Sequence, residues 1–329
     1  YGVQVEGIRW SDAAPAGTRV LLPGLAGRYR TNLGIATDGD CSVVVIRAYD
    51  SSSTLAAQTT IGMQPWSWLQ LNKLFRRVFP NLVPNPNTVS EADSLHRFEV
   101  IGVNGRVRTY TSIIDNTTND GSYMVGQVPG VDAAQWLPGA AVIEGANASN
   151  WLSDVVVVST AGVQDSVDFA FYPKGQDNSG PPVRWNVPLG IGESLFIGDI
   201  LSELFGYSSP SAGSLSVSSN AAQPLLWMRT YTEEPIVGGD LVTYGLAIMP
   251  RAAAATIVAG NSGPLAGYSH DATTRANLIH QNTRAAADGA RLSSEIRVEL
   301  LAADGSLLHE QNYSLLPGEY RQHNRFVAK

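Results

Sequence analysis

The sequence predicts a mainly β protein: antiparallel β-sandwich modules in tandem, with short helices and a third module that is only partial. Three observations lead there. Charged residues make up only 16% of the 329-residue chain, while Gly contributes 32 and Pro 18. That exchange favours short strands joined by many turns over long charged helices. β-Branched and alternating runs recur, as in Val43-Val44-Val45-Ile46 and Ile296-Arg297-Val298-Glu299-Leu300, and alternation is the two-residue period of a strand. Finally, the chain matches itself at intervals, the signature of a repeat architecture.

In chain order, the matches divide the protein into a leading segment, 1–19, and three units, 20–134, 135–249 and 250–329. Each unit opens on a proline: Leu22-Pro23-Gly24-Leu25, Leu137-Pro138-Gly139-Ala140 and Met249-Pro250-Arg251-Ala252. A polar residue then introduces a strand. Arg30-Thr31-Asn32-Leu33 matches Arg275-Ala276-Asn277-Leu278, and Leu152-Ser153-Asp154-Val155 has Asp in place of Asn.

The sharpest match follows. Pro65-Trp66-Ser67-Trp68-Leu69-Gln70-Leu71-Asn72 aligns with Pro317-Gly318-Glu319-Tyr320-Arg321-Gln322-His323-Asn324. Gly192-Glu193-Ser194-Leu195-Phe196-Ile197-Gly198-Asp199 takes the same place in the middle unit. This alignment puts Trp68, Leu195 and Tyr320 at one core position. It reads Asn72 and Asp199 as N-caps of short helices over 73–79 and 200–205.

The second halves of the first two units begin at Phe98-Glu99-Val100 and Leu215-Ser216-Val217. They share Arg108-Thr109-Tyr110-Thr111 and Arg229-Thr230-Tyr231-Thr232. Alternation places Arg and Tyr on one face and Thr on the other, with the Tyr110 and Tyr231 rings expected toward the core. Boundaries are expected near 131–150 and 251–272, where Ala, Gly, Asn and Ser accumulate. The runs at Ala252 and Ala285 suggest extra helical turns, and 277–289 reads as a long loop. Trp136, Trp151 and Trp185 are expected to pack between modules.

The third unit has no second half, and the chain opens with Tyr1-Gly2-Val3-Gln4-Val5-Glu6, an alternating strand like the last one of a unit. These read first as the cut ends of a longer array. The alternative is strand addition, with Tyr1 to Glu6 a candidate for self-association by completing the third unit.

At these positions the chain resembles a known module. Arg30-Thr31-Asn32-Leu33-Gly34, the Tyr49-Asp50 step, the Pro65, Trp68, Gln70, Asn72 spacing and Tyr110-Thr111-Ser112-Ile113-Ile114-Asp115-Asn116 resemble a repeat module of secreted bacterial proteins. Those modules often stand in tandem beside extracellular hydrolases and are similar to immunoglobulin-like sandwiches. The likeness is good over 20–130, looser over 135–250 and partial over 250–329. It implies an immunoglobulin-like fold, a secreted or cell-surface role with protein or glycan partners, and no catalytic residues.

The residues themselves argue against most other functions. A net charge of −7 gives no electrostatic help toward nucleic acid, and the basic knot Lys73, Arg76 and Arg77 reads as a solvated face. No apolar run is long enough to span a bilayer. The single cysteine, Cys41, excludes an intrachain disulfide and reads as a small buried hydrophobe. No Gly-x-Ser-x-Gly elbow is present, and Ser269-His270-Asp271 are too close in sequence to face one another as a triad. His96, His270, His280, His309 and His323 show no zinc spacing, and alternation turns His323 outward. Adjacent Glu233 and Glu234 point to opposite faces of a strand, not across a cleft. No cofactor is implied. Calcium is the more reasonable metal, with candidates at Asp38-Gly39-Asp40, Asp115-Asn116 with Asn119-Asp120, and Asp177-Asn178, although the same residues build ordinary turns.

Tryptophan is the one sign of recognition. Trp66 and Trp68 share a face if their segment is extended, and Trp66 aligns with Gly318. It therefore has no shared core role and is the ligand-binding candidate, able to stack on a sugar ring. The expected function is a non-catalytic secreted or cell-surface structural and interaction protein. The alternative is a carbohydrate-binding accessory region of a secreted hydrolase, with an enzyme of unrecognised site as a third reading.

Overall fold

The computed structural model describes residues 10–82, 95–130, 134–145, 149–208, 210–235, 241–252, 256–263, 265, 277–285 and 289–324. Tyr1 to Glu6 and the Ser269-His270-Asp271 string lie outside them. Strands hold 57% of residues and helices 5%, so the chain is mainly β.

After a 3-10 turn at Trp10–Asp12 come eight strands, one short helix and a second 3-10 turn at Pro80–Leu82: β1 Arg19–Leu25, β2 Tyr29–Thr37, β3 Val43–Tyr49, β4 Leu55–Gly62, β5 Trp68–Leu71, α1 Leu74–Arg77, β6 Leu95–Gly102, β7 Val107–Asp115 and β8 Gly121–Val125. They form two antiparallel sheets, β1-β6-β3-β4 and β5-β2-β7-β8. Burial alternates strictly along β3 and β7. Val44, Ile46 and Ala48 of β3, Phe98 and Val100 of β6, Leu33 and Ile35 of β2 and Val107 of β7 meet in one buried cluster drawn from both sheets. Leu74 and Phe75 anchor α1 into the same cluster.

The chain then traces the path again through β9 Ala134–Glu144, β10 Asn150–Val158, β11 Asp165–Pro173, β12 Val183–Leu189, β13 Ser194–Ile197, α2 Ile200–Glu203, β14 Ser211–Ser219, β15 Leu225–Pro235 and β16 Leu241–Ile248. The pairings give β9-β14-β11-β12 and β13-β10-β15-β16. Adding eight to each strand number of the first pair of sheets yields the second. One difference is that Ile143 and Glu144 of β9 cross over to pair with Trp151 and Asn150 of β10, joining the two layers. Val155, Val157, Phe169, Phe171, Leu215, Val217 and Met228 fill the second core with Ile200 and Leu201 of α2.

The first two units are welded together. The outward face of the β13-β10-β15-β16 layer is apolar, and Val156, Val158, Leu225 and Trp227 pack against Leu21, Leu25, Tyr29, Leu95, Ile113 and Met124 of the first unit. Trp227, 1% exposed, donates from Nε1 to the Val125 carbonyl at 3.3 Å. Beside it Arg229 donates to Tyr29 Oη at 3.2 Å, Ser122 Oγ at 3.1 Å and Thr243 Oγ1 at 2.9 Å, with the Asp120 carboxylate 3.6 Å away. The buried guanidinium is thus both hydrogen-bonded and paired, as a buried charge must be.

The remaining strands are β17 Arg251–Ala252, β18 Leu278–Gln281, β19 Ser294–Leu301, β20 Leu307–Leu315 and β21 Tyr320–His323. β18 pairs with β21, as β2 does with β5, and β19 with β20, as β3 does with β4. β3 and β11 are each flanked on both sides, whereas β19 has β20 alone among the described residues. This third part docks on the second unit through Tyr320, whose carbonyl accepts the Gly175 N–H at 3.0 Å. Arg291 adds to the contact, donating to Tyr172 Oη at 2.7 Å and to the Asn178 carbonyl at 2.6 Å.

Several sequence expectations need correction. The stretch 277–289 contains β18 rather than being all loop, and Arg251 and Ala252 are strand, paired to β9. The helices are single turns, shorter than 73–79 and 200–205. Their first N–H groups are not taken by Asn72 or by the Asp199 side chain. Asn32 Oδ1 accepts the Lys73 N–H and Asp154 Oδ1 the Asp199 N–H, both at 2.9 Å. The caps come from neighbouring strands; Lys73 and Asp199 are themselves in left-handed backbone (φ 54° and 38°), and neither makes a side-chain cap hydrogen bond. Tyr110 is not core-facing either. Thr109 and Thr111 point inward, while the Tyr110 ring lies outside against Tyr123, centroids 4.7 Å apart. Trp185 is 51% exposed and does not pack between units.

Candidate functional site

The turn before β5 is built the same way three times. Residues 66, 192 and 318 all have left-handed backbone, with φ of 53°, 66° and 62°. Two of them are glycine, which adopts that conformation without strain. The third is Trp66. The sequence alignment placed the middle unit one residue out: pairing registers match Leu71 with Ile197 and His323, so Trp66 corresponds to Gly192 as well as Gly318.

Because Trp66 sits in a turn, it does not share a strand face with Trp68. It is 71% exposed, lies against Gly39, and its ring meets that of Trp10 at 5.8 Å with a 46° tilt. Trp68 is not a core residue as expected. At 60% exposure it stands on the outward face of β5, while Tyr320 at the equivalent position is buried against the second unit. Arg108, Tyr110 and Tyr123 share that outward face, and Tyr110 Oη donates to Gln70 Oε1 at 3.0 Å. Of that face Trp68 is exposed while Arg108, Tyr110 and Tyr123 are half-buried; the matching face of the second unit carries Trp227, Arg229 and Tyr231 and is covered.

Most of the calcium candidates are held in hydrogen bonds. Asp38 accepts the N–H groups of Asp40, Cys41 and Arg106. Burial alone would raise its pKa, but these hydrogen bonds bring it below the ordinary value. Asp115 accepts from Thr117, Thr118, Thr243 and Arg28 and is likewise lowered despite its burial. Asp120 accepts the Gly245 N–H, and Asn119 Oδ1 accepts from Arg30. Asp177 accepts the Ser179 N–H, and Asn178 donates to the Pro173 and Gly318 carbonyls. Among the described residues no group of three or more His, Cys, Asp or Glu side chains is placed to hold a metal.

Cys41 is fully buried. His323 does not turn outward: its ring meets that of Tyr313 at 4.1 Å, tilted by 40°, and that of His280 at 5.2 Å, a meeting no local spacing could disclose. Burial first, then the charges of His323 and Arg321, lower the His280 pKa to about 4. Among the described residues no helix is long and apolar enough to cross a membrane.

No family model matches the chain, and no curated protein matches it. Among solved structures, the crystal structure of a Thermotoga maritima protein is similar at 13% identity, over 37% of this chain and 97% of its own, with a TM-score of 0.27. That superposition is too poor to carry an argument about fold or function.

Proposed function

We propose that the chain is a non-catalytic secreted or cell-surface interaction protein, built from tandem immunoglobulin-like β-sandwich modules and serving protein or glycan partners outside a bacterial cell. The observation that carries this reading is the strand-for-strand correspondence of β1–β8 with β9–β16, joined through the Trp227 and Arg229 face. A chain that repeats one fold and fixes the angle between copies supports a spacer or display role. Self-association through Tyr1 to Glu6 belongs to the same proposal, since among the described residues β19 is paired on one side only.

A second reading, a carbohydrate-binding accessory region of a secreted hydrolase, is favoured by one observation. Trp66 occupies a turn position where its two counterparts are glycine, and it stands exposed beside Trp10. Side chains held in strained backbone often mark a functional site, and an exposed indole suits a sugar ring. Titration with soluble neutral oligosaccharides separates the readings. Saturable binding lost in Trp66→Ala supports the second, and its absence, with solution mass rising with concentration, supports the first. Turnover on an ester, peptide or glycoside panel would contradict both.

A further inference from the structure

Two of the residues read from sequence as a solvated basic face, Lys73 and Arg76, form one wall of a cleft. At the opposite end of β5 from Trp66, a concavity of about 410 Å³ is lined by Arg30, Lys73, Arg76, Phe75, Asn116 and Asn119, among others. β2 supplies Arg30, α1 and its preceding residue supply Lys73 and Arg76, and the β7–β8 turn supplies the two asparagines. Arg30 is braced, donating to Asn119 Oδ1 at 2.8 Å and Asn116 Oδ1 at 3.4 Å. Among the described residues none of the three cations has a carboxylate within 4.0 Å. Three unneutralised cations thus converge on one cleft in a protein of net charge −7.

The fold does not require them. In the second unit the same turn, held by Asp154 as Asn32 holds the first, carries Leu152, Asp199 and Ser202 at the positions of Arg30, Lys73 and Arg76. The left-handed backbone at Lys73 recurs at Asp199, so it belongs to the turn and gives no reason for the charge. What distinguishes the first unit is the convergence of cations with two amides, over a floor that includes buried Phe75.

We propose that this cleft binds an acidic saccharide, its carboxylate held between Lys73, Arg76 and Arg30 and its hydroxyls by Asn116 and Asn119. The volume exceeds what a bare anion fills and lies within the range of small-ligand sites. A concave cationic site gathers anions by field as well as contact, and guanidinium groups match carboxylate geometry. The inference is independent of Trp66.

The test is calorimetric titration of the full chain at low ionic strength with digalacturonate, neutral digalactose and sodium sulfate. The expected result is saturable digalacturonate binding, at least about tenfold tighter than either comparison probe and weakened by added salt. Because Lys73 and Arg76 are exposed, a Lys73→Gln, Arg76→Gln double variant keeps the thermal midpoint and loses that binding, whereas Trp66→Ala retains it. Equal binding of digalactose, or sulfate binding as tightly as digalacturonate, overturns the saccharide assignment. No digalacturonate saturation at millimolar concentration, or binding unchanged in the double variant, overturns the site.

Discussion

Trp66 shows what a single residue can and cannot disclose. Its oddity was legible, since the counterpart in the third unit is Gly318. The turn that makes it odd was not, because a left-handed residue fixes register by backbone geometry, and one residue of slip moves every side chain to the other face. That slip set Leu195 beside Trp68 in the alignment, where the pairing registers put Ser194. A left-handed Trp costs about 1 kcal/mol relative to Gly, so Trp66→Gly is expected to hold or raise the thermal midpoint while abolishing any neutral-glycan binding. A drop in stability of more than about 1 kcal/mol would make Trp66 a packing residue. Arg30 was visible in the sequence only as part of a repeated string. Nothing local could tell that Asn116 and Asn119, nearly ninety positions on, would brace it.

Among the elements, the single-turn helices α1 and α2 depend on side chains from other strands. Asn32 is 7% exposed and its one bond to Lys73 replaces a local cap, so Asn32→Ala is predicted to cost about 1 kcal/mol. Amide exchange at Lys73 would quicken before that of the β2–β7 ladder. Unchanged protection at Lys73 would show that Phe75 and Leu74 hold α1 unaided. The strands were more legible than the helices, since two-residue alternation is written directly in β3, β6 and β7.

The β18–β21 pair behaves differently. His280 sits where Ile35 and Val157 fill the other two cores, and its pKa is lowered to about 4, by burial above all. The folded form therefore keeps the ring neutral while the unfolded chain binds a proton below pH 6.5. Stability contributed by this group is present above pH 6.5, falls as pH drops toward 4, and levels below that. After allowance for solvent screening the change is about 2 kcal/mol. Urea unfolding against pH should show the fall, and His280→Leu should flatten it. A variant with the same acid sensitivity would remove His280 as its source.

Across the whole molecule, the mainly β character was legible from composition and alternation. The joint between the units was not. Trp227 passes in sequence for one more strand residue, and Arg229 for half of a repeated Arg-Thr-Tyr-Thr string whose first copy, Arg108, faces Asp12. The outward layer of the second unit is covered by the first, which no periodicity encodes because alternation reports a face without naming its neighbour. The proposed function rests on this joint, since modules that display a ligand surface must hold a fixed angle to do so. The most direct measurement is urea unfolding of the full chain and of Trp227→Ala, followed by tryptophan fluorescence and far-ultraviolet circular dichroism together. The account predicts that the first two units melt in one coincident transition, and that the variant loses about 3–5 kcal/mol and separates into two. A full chain whose first two units already melt apart, or a variant with an unchanged midpoint, would contradict it.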